Sequence, residues 1–275
     1  MPYLDLPGVR LFHTDEASEG VAAPGRLGTP TVLVHGWLGT SDTWIHQLPA
    51  LRARCRTVTV DLRGHGCSDA PDSRYDAAEF TGDLAAALLR LGLGPAVVVG
   101  HSMGASLASL LAVEHPELVA ALVLVDPDYA GAAAERDRLR AVADLGDEDA
   151  VADGVAEMIA RGVDAATQPA HLRAWHQREI ARMRPFVVAH SLRANLDGPL
   201  RFRPAADALL ARRPQPVLAF HRNRDRAAVE RAVRAHPASA VVDVDGCGHW
   251  IHQERPGLVE RELEAWLAAL PSPRR

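Results

Sequence analysis

Gly100-His101-Ser102-Met103-Gly104 sets a serine between two glycines where two opposite patterns meet. Before it, Ala96-Val97-Val98-Val99 is a short apolar, β-branched run, the pattern of a buried parallel strand. After it, Ala105 to Val113 carries helix formers and an apolar face at helical spacing. A serine on such a strand-to-helix turn has a strained backbone, and larger neighbours than glycine would collide there. The turn lifts the hydroxyl clear and sets the Met103 amide at a helix N-terminus. A nucleophile and one oxyanion donor follow. Out of context the pentapeptide would be a Gly-rich turn with a Ser N-cap. The flanking strand and helix favour the nucleophile.

A nucleophilic serine needs a base, and His249 in Asp245-Gly246-Cys247-Gly248-His249-Trp250 follows a strand and is flanked by glycine. Its proton affinity near neutrality suits removal and return of a proton. Most of the thirteen histidines must be bystanders, and His252 is expected to face solvent. A third group must fix the imidazole tautomer. Asp225, in the loop after Pro216-Val217-Leu218-Ala219-Phe220, is the favoured acid, although it could simply cap the helix near Ala227. Asp126, after Ala121 to Val125, is the rival. In His35-Gly36-Trp37-Leu38-Gly39, Gly36 lets the chain turn and approach a ligand, and the Trp37 amide can be the second oxyanion donor opposite Met103. The His and Asp residues of Asp61-Leu62-Arg63-Gly64-His65-Gly66-Cys67-Ser68-Asp69 lack paired metal spacing, so this segment reads as a hydrogen-bonded structural loop.

These residues must be positioned by alternating strands and helices. After a weak opening strand near Gly8 to His13, Thr31 to Val34 and Thr57 to Val60 read as strands. Ser41 to Arg52, capped by Ser41 or Asp42, and Ala77 to Leu91, ended by Gly92, read as helices. From about Tyr129 to Leu200 no strand stands out. Ala132 to Leu145, Val151 to Arg161 and Pro169 to Met183 look helical, with Gly146, Gly162, Pro169 and Pro185 as punctuation. Alternation resumes with the Val217 strand, a helix near Ala227 to Ala235, the strand Ala240 to Val244 and the closing helix Leu258 to Leu270; the tail 271–275 reads as frayed. The pattern predicts an α/β fold: a mostly parallel central sheet, helices on both faces and a helical cap inserted after the sixth strand. The core would comprise residues 1–128 and 201–275 and the cap 129–200. Ligands bind beyond the carboxyl ends of such strands, where Ser102, Trp37 and His249 fall.

Composition narrows the chemistry. The 275 residues are 48% hydrophobic with a net charge of −5. No basic cluster interleaved with aromatics appears, so nucleic acid is not the expected partner. Arg212-Arg213 and Arg274-Arg275 read as solvated surface. All 30 basic residues other than histidine are arginine. Without lysine there is no Schiff-base or P-loop chemistry. Cys55, Cys67 and Cys247 have no metal or redox spacing and read as buried thiols. No signal-like or membrane-spanning run stands out, so the expected setting is cytoplasmic, without a membrane partner.

Together the Ser102 pentapeptide, the Asp61 to Asp69 segment, and Gly248-His249 followed by Glu254 and Pro256 resemble the α/β-hydrolase superfamily, over nearly the whole chain. The order Ser102, Asp225, His249 matches that family's order of nucleophile, acid and base. One departure stands out. The family's acid loop usually has a glycine three residues before its aspartate and a proline soon after; here Arg222 replaces the glycine and no proline follows.

The resemblance implies a cofactor-free serine hydrolase of a small carboxylic ester or lactone. Ser102 excludes the branches with an aspartate nucleophile, the dehalogenases and epoxide hydrolases. Carbon–carbon bond hydrolysis and perhydrolase or haloperoxidase-like chemistry remain alternatives on the same triad. A ligand-binding, receptor-like protein on a hydrolase scaffold is a further alternative, motivated by the altered acid loop. A homodimer is left open. The cap residues Trp175, His176, Met183 and Phe186 are expected over the pocket, favouring an apolar acyl group, unless they only hold the cap to the core.

Overall fold

A computed structural model describes residues 2–16, 28–161 and 168–270 of the chain. Gly162 and the tail 271–275 lie outside the described residues. Strands β1 (Tyr3–Leu6), β2 (Val9–Glu16), β3 (Thr31–Val34), β4 (Thr57–Val60), β5 (Ala96–His101), β6 (Val119–Val125), β7 (Val217–His221) and β8 (Ala240–Asp243) form one sheet. Its order is β1-β2-β4-β3-β5-β6-β7-β8. The β1–β2 and β2–β4 pairs are antiparallel and all others parallel. The single opening strand expected near Gly8 is thus the second arm of a hairpin.

Side-chain alternation splits the parallel strands between two apolar layers. Val32, Val34, Val98, Leu122 and Leu124 face α2 (Ala77–Leu91) and α3 (Met103–Glu114). Leu33, Val97, Val99, Val123 and Phe220 face Trp44, α1 (Leu48–Arg52) and α11 (Pro256–Ala269). Strands β3 to β7 are buried on both sides, which is why these segments read as continuous apolar runs.

Helix α2 matches its signals. The Asp76 side chain accepts from the Glu79 amide, and Gly92 closes the helix at φ 62°. The helix expected over Ser41 to Arg52 is instead a 3₁₀ turn (Ser41–Trp44) followed by α1. The Ser41 amide is drawn to the Asp61 carboxylate at 2.7 Å, and Pro49 can give no amide to a continuous helix.

Between β6 and β7 the chain forms α4 (Ala133–Ala143), α5 (Glu148–Ala160), α6 (Ala170–Arg182), α7 (Pro185–Leu196) and short α8 (Ala205–Leu210). Pro185, read as punctuation, opens α7 at the one helical position that tolerates it. A third apolar cluster joins Leu139, Val151, Val155, Val188, Leu192 and Phe202 with Leu38 from the core. The two roots of this helical segment are joined. The amides of Ala130 and Gly131 donate to the carbonyls of Leu200 and Arg201 at 3.0 and 2.9 Å. Arg201 and Arg226 both donate to Glu135 at 2.8 Å, and Arg201 also pairs with Asp128.

The Arg212-Arg213 pair is not uniformly solvated. Arg213 is 2% exposed. Its Nη2 meets Glu230 Oε1 at 2.6 Å, and Nη1 donates to Ser109 at 3.1 Å. The Tyr129 hydroxyl donates to the other Glu230 oxygen. Burial, reinforced by the Glu230 charge, pushes the Tyr129 phenol far above its ordinary range, so it stays a donor. Removing one member of a buried pair leaves the other unpaired. Glu230→Ala is therefore expected to lower unfolding free energy by about 3–5 kcal/mol, read as a fall in the urea midpoint.

Candidate active site

The chain runs outward from β3 in both directions, to β4 and, across the switch point, to β5. The carboxyl ends of β3 and β5 therefore lie side by side, with Val34 in register with Gly100. This is where an open α/β sheet leaves a crevice. Ser102 lies there at φ 52°, ψ −118°. Such a conformation costs on the order of 1–3 kcal/mol and persists only if its surroundings impose it. They do. A Cβ on Gly100 would sit 2.5 Å from the Gly104 carbonyl oxygen and 2.6 Å from Ala105 Cα. Gly104 packs its backbone against the Val34 and His35 carbonyls with no room for a side chain. Helix α3 begins at Met103, so the Met103 amide is one of the first-turn donors without a helical acceptor.

Across the crevice, Gly36 touches the same turn. A Cβ there would lie 2.7 Å from His101 Nδ1 and 3.1 Å from Ser102 Cβ. The His35 ring braces this loop: Nδ1 donates to the Gly36 carbonyl at 2.8 Å, and Nε2 accepts from the Leu62 amide at 2.9 Å. Burial lowers the proton affinity of His35 against the pull of Asp61, in keeping with that neutral tautomer. The Trp37 amide donates to no acceptor among the described residues, while its indole Nε1 donates to Ser191 Oγ at 2.8 Å.

His249 follows β8 on a loop held by Glu254, whose Oε2 accepts from the Gly248 amide at 2.8 Å. Its carbonyl accepts from His101 Nε2 at 3.0 Å, and the His101 and His249 rings lie 4.7 Å apart. His101 adjoins Ser102 in the chain, so His249 is tied to the neighbour of the serine. Its side chain is 22% exposed, and Nδ1 meets Asp126 Oδ2 at 2.6 Å. With Nδ1 donating, Nε2 is left as the acceptor that a general base requires.

The carboxylate at His249 is therefore Asp126, and the expectation of Asp225 is corrected. Asp126 directly follows β6 at φ 40°, 2% exposed, its amide bonded to the Phe220 carbonyl at 2.8 Å. Burial opposes its charge. The hydrogen bond and charge of His249 and the charge of Arg222 outweigh that, holding the carboxyl well below the usual carboxylate range. Asp225 lies in the exposed first turn of α9 (Arg224–Val233). It is not the cap either: Asn223 Oδ1 accepts from the Asp225 and Arg226 amides at 2.9 and 3.1 Å. Helix α9 starts so soon after β7 that Asp225 is committed to that turn.

Ser102, Asp126, His249 and Trp37 line one cavity of about 1070 Å³, which Asp225 borders. Of the expected cap residues only His176 lines it. Met183 and Phe186 pack on the core, and Trp175 stacks beside His176 with ring centroids 6.1 Å apart. His176 is clamped between Gln168 and Gln253, 2.7 Å from each, and stacks on Trp250. Burial holds it down at about 4, so it stays neutral. Arg138, Arg173, Arg203 and Glu135 make the lining more polar than an aromatic cap would suggest.

His252 does not face solvent. It is fully buried against Trp44 and His101, with ring centroids 4.4 and 4.6 Å away. Nor are all three thiols buried: Cys55 is, Cys247 is half-buried and Cys67 is exposed. The Asp61 segment is a structural loop as expected, its carboxylate accepting from the Ser41 and Cys67 amides at 2.7 and 2.9 Å. The roles of His35, His101 and Arg222 were missed in the sequence. The first two adjoin Gly36 and Ser102, and Arg222 marks the altered acid loop.

Asp126→Asn leaves the shape of the site but reverses the tautomer of His249. It is expected to slow fluorophosphonate labelling of Ser102 by about 10³–10⁴-fold. Asp225→Asn should leave the labelling rate within about twofold, since no bond from Asp225 reaches His249.

Comparison with known proteins agrees with this architecture. A family model described as alpha/beta hydrolase fold matches residues 29–256. Epoxide hydrolase A of Mycobacterium tuberculosis is 28% identical, over 97% of this chain and 99% of that protein. The 2-(acetamidomethylene)succinate hydrolase of Mesorhizobium japonicum is 35% identical over 99 residues, 36% of each chain. The solved structure of a thermophilic esterase from Thermogutta terrifontis, with malate bound, superposes with a TM-score of 0.77 at 24% identity, covering 97% of this chain and 96% of that one. The chain belongs to the alpha/beta hydrolase fold family.

Proposed function

We propose that this hydrolase cleaves a carboxylic ester or lactone through an acyl-enzyme on Ser102. The observation that carries the reading is the 2.6 Å contact of Asp126 with His249 Nδ1 in the cavity that holds a serine at positive φ. His249 Nε2 takes the Ser102 proton as Oγ attacks the carbonyl carbon. The oxyanion forms toward the Met103 and Trp37 amides. On collapse the acyl–oxygen bond breaks, and the imidazolium returns its proton to the departing alkoxide. Water, deprotonated by the same imidazole, then frees the acid and restores the serine. Two preorganised amides of this kind contribute about 3–4 kcal/mol each to the transition state.

Helices α4 to α7 act as the cap over this site, and the esterase neighbour makes ester cleavage the natural reading of the fold. The epoxide hydrolase relative is less suited as a guide to chemistry, because a hydroxyl rather than a carboxylate stands at the nucleophile position. The Asp126–His249 contact supports an enzyme over a receptor-like protein, whose motive was the altered acid loop.

Ser102→Ala should abolish hydrolysis of p-nitrophenyl acetate and butyrate, with kcat falling by about 10⁴-fold or more. Undiminished turnover would refute the mechanism. Gly36→Ala forces the His101 ring and the Ser102 turn apart. Its kcat should fall by about 10²-fold with KM little changed, the signature of a loss felt in the transition state.

A further inference from the structure

We propose that Arg222 is a positioning residue for the acid of this site: it holds the Asp126 carboxylate against His249, and its charge offsets part of the carboxylate's pull on the imidazolium. The inference rests on the ester-hydrolase reading above. It starts from the place of Arg222 at the end of β7, where the acid loop of related proteins would stand.

Arg222 meets Asp126 twice. Its Nε donates to Oδ2 at 2.8 Å, the same oxygen that His249 Nδ1 meets at 2.6 Å. Its amide approaches Oδ1 at 3.4 Å. Both carboxylate oxygens are thus engaged from β7, and the plane of the carboxylate is set by a second strand end. Asp126 needs such a hold because it leaves β6 at φ 40° and is followed by Pro127. The Arg222 side chain is 30% exposed and lines the reaction cavity, so its charge is neither buried away nor fully screened.

Other titratable groups face the pair. His101 at the end of β5, His176 on α6 and His252 on α10 (Ile251–Glu254) surround His249, and burial keeps all three neutral. Around Asp126 stand His221, whose proton affinity burial also lowers, Cys247, whose thiol burial pushes up to about 12, and Arg226. Arg226 is committed to Glu135 at 2.8 Å. Arg222 is the cation bonded directly to Asp126 besides any charge on His249 itself.

The sign of its effect follows. A free carboxylate would hold a proton on His249 strongly, and a base must be unprotonated to act. The Arg222 charge offsets part of that pull. Loss of that charge should move the acid limb of activity upward. A purely structural Arg222 would change stability and leave the limb in place.

The test is the pH profile of kcat/KM for p-nitrophenyl butyrate in Arg222→Gln, Arg222→Gly and Arg222→Lys, with folding checked by circular dichroism. Glycine is included because it is small and is the residue usual at this position, should the glutamine variant fail to fold. The acid limb is expected to rise by about one pH unit in the Gln and Gly variants. Plateau kcat should fall by up to about 10²-fold as the carboxylate loses its orientation. Arg222→Lys should keep the wild-type limb. A folded Gln or Gly variant whose profile overlays the wild type, or a Lys variant that shifts as far as Gln, overturns the proposal. Ser102→Ala run alongside separates the two levels: turnover there removes the ester-hydrolase reading, whereas an inactive Ser102→Ala with an unmoved limb in Arg222→Gln removes this inference alone.

Discussion

The site depends on how closely one helix can approach one strand. Helix α3 packs its first turn on the carbonyls that end β3, and only hydrogen fits at Gly104. That approach forces the chain to reverse within a residue, which puts Ser102 at φ 52°. It also brings Gly36 against Ser102, so the His35-Gly36-Trp37 loop has one position. Ser102 and the facing amides are thus set by sterics in the backbone. The imidazole is then added from a separate loop, fixed by bonds from His101 and Glu254.

The acid was the ambiguous part. Asp126 and Asp225 both lie just beyond parallel strands, and either would serve a histidine beyond β8. What separates them is the distance from strand end to carboxylate. Asp126 leaves β6 immediately and turns, whereas Asp225 is drawn into α9 by the Asn223 cap. The placement of a helix start within two residues is the least legible feature of a sequence. Arg222 in place of a glycine was the available sign that the β7 loop had changed its task.

Most of the scaffold could be read from the chain. Valine runs buried on both faces marked the parallel strands, and Gly92 closes α2 where the helix was expected to end. Ser102 and His249 were legible because glycine flanks them just after a strand. The rest turned on tertiary contacts. Asp61 captures the Ser41 amide and splits a predicted helix. Arg213 reads as surface beside Arg212 until Glu230 and Tyr129 close around it. His252 is drawn inward because α10 lays it on Trp44. The lining of the cavity could not be read either, since the turn of each helix between β6 and β7 decides which face looks inward.

Besides the backbone bonds, the roots of the helical segment α4 to α7 are joined by guanidinium groups: Arg201 and Arg226 on Glu135, with Asp128 alongside. A guanidinium keeps its proton at any pH a folded protein meets. Alkali therefore leaves these ties charged. Acid is the direction in which they loosen. Burial opposes the charge on Glu135, but Arg226 and Arg201 pull its proton affinity below the ordinary value. Its share of stability is present above that ordinary value and fades as pH falls through the lowered one. These ion pairs are thus built to persist in basic surroundings and to weaken in sour ones.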